Sequence, residues 1–169
     1  MSHDGILRPA TEEDIDELVA MWAQYMHAHA HNPAYRNLRR DALATRRRTF
    51  KERIEEATSV VFVIEGEDEG LDGMIVCFVE ENEPYFQPLR YVRIQTPYVR
   101  PEARRRGYLM RLLEAAYEWA GDWEFDEVRL YTGADNLIAN AVADELGFEA
   151  VEVVRRRPLR RKPRTPWDD

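Results

Sequence analysis

The residues best suited to chemistry stand in one run, from Tyr98 through Val99, Arg100, Pro101, Glu102 and Ala103 to Arg104-Arg-Arg-Gly107-Tyr-Leu109. A strand end, a basic turn with one glycine and a helix start bring free backbone N–H groups and the positive end of a helix dipole to one point. Such a point holds an anion. Gly107 lets the backbone approach closely, and Arg104, Arg105 and Arg106 add charge, so a pyrophosphate is the occupant these residue types suit. An ordinary helix N-terminus with a solvated arginine cluster has the same spacing, so the reading depends on what surrounds it.

Other groups are candidates for proton transfer or recognition. Glu81, Glu83, Tyr85 and Phe86 mix carboxylates and aromatic faces as a cation-binding pocket would, and as a solvated hairpin loop also would. Tyr131 lies in a strand whose alternation leaves its direction open. His27, His29 and His31 alternate near a helix end without an identifiable third ligand, so no metal site is expected. Cys77, within Ile-Val-Cys-Phe-Val, has no histidine nearby in sequence to activate it and reads as a small buried hydrophobe.

The elements that must position these groups follow from periodicity. A short strand at 6–9 precedes Thr11 and Asp14, a capping pair that opens a helix with Ile15, Leu18, Val19, Trp22 and Met26 on one face, running until Pro33. Residues 38–57 predict a partly exposed helix in which Leu43, Phe50, Ile54 and Ala57 are loosely in phase. Strands at 59–65 and 73–80 flank an acidic turn, and a strand at 90–100 is interrupted by Pro97, which predicts a bulge or an unpaired side. A helix from about Arg104 to Ala120, a strand at 127–132, a helix from about Asn136 to Leu146 capped by Gly147, and a strand at 148–154 complete the order. The class is mixed α/β, or α+β by stricter naming.

Arg104-Arg-Arg-Gly107-Tyr-Leu109 resembles the acetyl-CoA loop of the GCN5-related N-acetyltransferase (GNAT) superfamily, which reads Arg/Gln-x-x-Gly-x-Gly/Ala; Leu109 stands where a small residue is usual. Val99-Arg-Pro101-Glu-Ala-Arg104 is similar to that family's lead-in, and Asn136-x-x-Ala139 ahead of Leu146-Gly147-Phe148 to its second motif, so the resemblance spans residues 6–154. It implies a mostly antiparallel mixed sheet flanked by about four helices, with fourth and fifth strands splayed so that a pantetheine arm inserts between them. It also implies acetyl-CoA contacts from the backbone near Tyr98 and Val99, from Arg104, Arg105, Arg106, Gly107, Tyr108 and Leu109, and from Asn136, which as a helix N-cap has a competing role. His31 and Tyr35, after the first helix, would touch the acceptor, with Tyr85 and Phe86 as further candidates.

The family's usual catalytic groups are absent. Gln95 and Thr96 occupy the likely positions of the fourth-strand glutamate, and Ala143 that of the tyrosine acid. Glu81, Glu83 and Tyr131 are the replacement candidates. The expected activity is direct transfer of an acetyl group to a primary amine of a small molecule or peptide; the alternative is an acyl-CoA-binding regulatory module with weak or no catalysis.

Charge and composition set the limits. The chain of 169 residues carries a net charge of −8, but residues 155–164 hold seven basic and no acidic side chains, leaving residues 1–154 at −13. An acidic body disfavours nucleic acid and attracts cations, while the tail 155–169 could meet nucleic acid or the acidic body of a second copy, which leaves a homodimer open. One cysteine excludes an intrachain disulfide and suits a reducing compartment. No apolar run approaches the ~20 residues of a membrane span. Met1–Gly5 has no leader pattern, so a cytoplasmic setting is expected.

Overall fold

The computed structural model describes residues 5–67 and 70–159. Residues 1–131 and 132–169 form two compact units.

In the first unit, β1 (Ile6–Pro9), β2 (Ser59–Glu65), β3 (Leu71–Glu81), β4 (Arg90–Val99) and β5 (Val128–Leu130) form one sheet in that spatial order. Neighbours are antiparallel except β4 and β5, which run parallel. β2 and β3 read as nearly unbroken apolar runs because both their faces are covered. On one face α1 (Ile15–Ala28) and α2 (Ala42–Glu55) enclose a core of Leu18, Met21, Phe50, Val61, Val63, Met74, Val76, Phe78 and Tyr98. On the other, α3 (Tyr108–Asp122) lays its buried stripe, with Leu112, Leu113 and Ala116, against β2, β3 and β4.

α1 begins as its sequence predicts. The Asp14 carboxylate accepts from the Thr11 N–H at 2.8 Å and from Arg8 at 2.8 Å, so the reciprocal cap is also an ion pair to β1. The helix stops at Ala28, before Pro33. α2 is shorter than 38–57, and its buried residues are Arg46 and Phe50; Leu43, expected on the apolar face, is exposed.

α3 starts at Tyr108, not near Arg104, for a local reason. Pro101–Ala103 form a single 3-10 turn, and Arg105 (φ 64°) and Gly107 (φ 77°) are left-handed, which no right-handed helix accommodates.

In the second unit, α4 (Leu137–Glu145) is capped by Asn136, whose Oδ1 accepts from the Ala139 N–H at 3.1 Å. It ends in a Schellman motif: the Phe148 N–H donates to Ala143 O at 2.9 Å and the Gly147 N–H to Asp144 O at 3.0 Å, with Gly147 at φ 81°. The strand expected at 148–154 is not formed. Val151, Val153 and Val154 are exposed and this stretch pairs with no strand among the described residues; alternation creates a strand only where a ladder partner exists. Residues 155–159 of the basic tail are exposed and irregular, while Arg160–Arg164, like Met1–Asp4, lie outside the described residues.

Candidate acyl-transfer site

The site is built around a change of phase in β4. Met74 pairs with Tyr98 and Val76 with Gln95, so the single residue Ile75 faces two residues, Thr96 and Pro97. Thr96 is buried and left-handed at φ 51°. This is the bulge that Pro97 predicts, and it turns over every backbone group beyond it. Before the bulge the Val92 N–H donates to Glu127 O, toward β5, at 3.0 Å; after it the Arg100 N–H donates to Asp72 O, toward β3, at 2.8 Å. Alternation therefore directs the Val99 N–H to the β5 side and the Tyr98 N–H to β3. Arg104 Nε reaches Val99 O from that same open side, at 3.2 Å.

β5 does not follow β4 that far. Pairing runs through Val92–Val128, Arg93–Arg129 and Ile94–Leu130 and stops there, while β4 continues to Val99. The two strands thus part at Gln95, leaving an edge of β4 without a ladder partner at the point where the bulge reorients its N–H groups.

The turn after β4 closes the open end. Tyr108, Leu109 and Met110 precede the first intrahelical bond, from the Arg111 N–H to Gly107 O at 3.1 Å, and no side chain caps them. A Cβ on Gly107 would meet nothing within 4 Å, so this glycine faces open space and its need is conformational. Arg104, Arg105 and Arg106 are exposed around it; Arg106 lies 3.9 Å from Glu67. Leu109 is half-buried. Tyr108 is buried, and its hydroxyl accepts from the Gly5 N–H at 3.1 Å, so its side chain belongs to the core while its backbone opens the helix. These features fit a phosphate-bearing thioester cofactor: amides without intrahelical acceptors, a glycine whose missing side chain leaves room, and arginine charge.

On the α1 side, a cleft of about 530 Å³ is lined by Gln24, His27, Tyr98, Glu102 and Arg104 among others. Beside it, Tyr25 contacts the rings of His29 (4.3 Å), Tyr35 (6.5 Å) and Tyr98 (6.1 Å), and His29 stacks on His31 at 6.4 Å. His31 and Tyr35 are therefore gathered with Tyr98. Burial, then Tyr35, pushes the Tyr25 phenol up to about 12, so it stays protonated at neutral pH. Asn136 spends its Oδ1 on the helix cap.

The hairpin-tip candidates are at the other end of β4. Glu81, Glu83, Tyr85 and Phe86 are exposed, the two rings packing on each other at 4.8 Å. From Arg90 to Gln95 is about 17 Å of strand, so they are separated from the opening. Cys77 is buried, and burial pushes its thiol up to about 12, consistent with an inert core residue.

Tyr131, just past the last paired residue of β5, is half-exposed under Arg93, whose guanidinium lies 4.0 Å from its ring centroid. Its phenol is near enough to that of Tyr91 to raise it, and the Tyr91 hydroxyl donates to Glu80 Oε2 at 2.8 Å. Arg93 donates to Glu80 Oε1 at 3.1 Å. Burial, then Tyr131 and Glu80, raises the Tyr91 phenol above its ordinary value. Sequence reading passed over Glu80, Tyr91, Arg93 and Arg46. The available indication was position: Glu80 faces Tyr91 across the hairpin, and Arg46 stands four residues before Phe50 on the buried side of α2.

The family model described as "Acetyltransferase (GNAT) family" matches residues 16–148. A mutant of the BH1408 protein of Bacillus halodurans superposes with a TM-score of 0.79 at 22% identity, covering 91% of this chain and 99% of that one. A predicted acetyltransferase of Clostridium acetobutylicum, solved with acetyl-CoA, gives 0.74 at 17% identity, with 90% and 95% covered. The aminoglycoside 6'-N-acetyltransferase AAC(6')-Ig of Acinetobacter haemolyticus gives 0.70 at 19%, with 93% and 99% covered. None of the curated proteins matches the chain in sequence.

Proposed function

The chain belongs to the acetyltransferase (GNAT) family, and from that premise we propose that it is an acetyl-CoA-dependent N-acetyltransferase acting on a primary amine of a small molecule or peptide by direct attack in a ternary complex. The observation that carries this reading is the parting of β4 from β5 at Gln95 together with the reversed direction of the Val99 N–H. Acetyl-CoA, when bound, supplies an activated thioester. The turn from Arg104 to Leu109 would hold its phosphates and the Val99 N–H would meet the pantetheine or thioester, a preorganised donor for developing negative charge.

The chain must also take a proton from the amine. An ammonium of pKa ~10.4 costs about 4–5 kcal/mol to deprotonate at pH 7. Gln95, Thr96 and Ala143 cannot accept it. Tyr131, next to Tyr91, and Tyr91, which donates to Glu80, lead from the half-exposed end of β5 to a carboxylate, and in this reading they relay the proton inward. Tyr91, whose phenol resists ionisation, passes a proton without holding a charge. Arg93, 3.1 Å from Glu80 Oε1, holds that carboxylate in place at the end of the relay. The buried, inert Cys77 gives no support to a covalent acyl-enzyme and suits a reducing, cytoplasmic setting.

The test is calorimetric titration of the full chain with acetyl-CoA, then thiol release with amino acids, polyamines, aminoglycosides and peptides. Binding with amine-dependent release is expected; no binding at ~1 mM defeats the cofactor assignment. The absence of the usual acid and base at Gln95, Thr96 and Ala143 favours one second reading, an acyl-CoA-binding regulatory module. Binding without release above the no-amine background would select it.

A further inference from the structure

Arg46 is a buried arginine without an acid. It is 9% exposed, its guanidinium lies over the rings of Phe50 (4.3 Å) and Trp22 (5.6 Å), and its Nη1 donates to Gln95 Oε1 at 3.2 Å. Nε and Nη2 are buried with no acceptor among the described residues. The charge it feels most is a second cation, Arg53, and burial lowers its pKa to about 10, still charged at neutral pH. A guanidinium held dry beside another cation is unfavourable unless something else completes it.

The unused atoms define what that is. Nε and Nη2 share one edge of the planar guanidinium, and their parallel N–H groups match the two oxygens of a carboxylate. The hydrogen-bonded partner, Gln95, is the first residue of β4 beyond the last β4–β5 pair. Arg93, two positions back on the same strand face, carries a further buried nitrogen, Nε, without an acceptor. The phosphate turn lies elsewhere: it begins at Arg104, past the end of β4. We propose that the acceptor amine carries a carboxylate, as an amino acid does, and that the Nε–Nη2 edge of Arg46 binds it. This rests on the acetyltransferase reading above and adds the acceptor's class. The ammonium end of such a zwitterion suits the acidic body and its carboxylate suits this inward-facing cation, whereas a polyamine or aminoglycoside brings only positive charge to Arg46 and Arg93.

The experiment compares matched acceptors differing in one charge: phenylalanine, methionine and glutamate against their α-carboxamides, with spermidine and kanamycin alongside, in acetyl-CoA-dependent thiol release. Each acid should exceed its amide in kcat/KM by about tenfold or more. Arg46→Met should bring that ratio toward one, and Gln95→Glu, which sets a competing carboxylate against the guanidinium, should raise KM for the acids. Thermal shifts with the same acids and amides read the site without acetyl-CoA: the acids should raise Tm of the natural chain more than the amides do, and Gln95→Glu should abolish the difference even if Arg46→Met does not fold. Equal use of acid and amide, a preference for spermidine or kanamycin, or equal thermal shifts would overturn the carboxylate assignment while leaving acetyl transfer standing. Failure to bind acetyl-CoA would remove the acetyltransferase reading and leave the thermal-shift comparison to decide the carboxylate site.

Discussion

Val92 in β4 and Arg100 just past its end stand eight residues apart, yet their N–H groups donate in opposite directions, Val92 to Glu127 O at 3.0 Å and Arg100 to Asp72 O at 2.8 Å. In a regular strand an even separation keeps both on one side. The extra residue at Thr96–Pro97 reverses the phase, so beyond it Val99, in place of its even-numbered neighbours, turns its N–H to the side that β5 has left.

Thr96 carries the unusual dihedral, φ 51°, in a β-branched residue. In an ordinary strand glycine is less stable than alanine by roughly 0.5–1 kcal/mol, whereas at a left-handed residue the order inverts. Urea denaturation should therefore rank Thr96→Gly above Thr96→Ala by about 1 kcal/mol. Alanine ranking higher would mean that the bulge relaxes when the side chain is removed.

Gly107, at φ 77° with no atom within 4 Å of a built Cβ, separates backbone strain from packing. Gly107→Val should lower stability by about 1–2 kcal/mol from the dihedral alone. It should also weaken acetyl-CoA binding about tenfold or more, because the side chain stands where the phosphates approach. Unchanged affinity by calorimetry would count against the phosphate turn.

The phenol of Tyr91 lies between Tyr131 and Glu80. Tyr91→Phe interrupts this chain and should reduce kcat by roughly 100-fold with little change in KM for acetyl-CoA, at a stability cost of about 1 kcal/mol. Glu80→Gln should reduce kcat similarly. If both retain kcat within about twofold, protons leave by another route.

Acid should act through Asp14. Hydrogen bonds from Arg8 hold its carboxyl below the ordinary 3.8. A lowered folded pKa gives stability that is complete above the unfolded value and lost as pH falls through the folded one. Asp14→Asn should cost about 1 kcal/mol near pH 7, and the gap from the natural chain should narrow below about pH 4. A gap independent of pH between 6 and about 2 would show that the carboxylate's charge contributes nothing.

Much of the architecture was legible in local pattern. β1 and β2 matched their expected bounds, α4 lay within a residue of its own, and the bulge was announced by Pro97 in an otherwise alternating strand. The glycine turn was visible because a left-handed residue before a helix has few chemical solutions. The proton-transfer candidates were harder. Carboxylates at Glu81 and Glu83 were conspicuous in sequence, while Glu80, one residue earlier, points into the strand-facing network because side chains alternate.

The sequence alone determined the order of elements as far as α4, the glycine turn at Arg104–Leu109 and the acidic balance of the body, since periodicity, turn chemistry and charge are properties of neighbouring residues. Tertiary structure decided where β5 stops pairing with β4, that residues 148–154 form no strand, and that Arg46 of α2 lies against Gln95 of β4, forty-nine positions away. Pairing and burial join residues distant in sequence, and no local period records which partner a strand or a guanidinium will find.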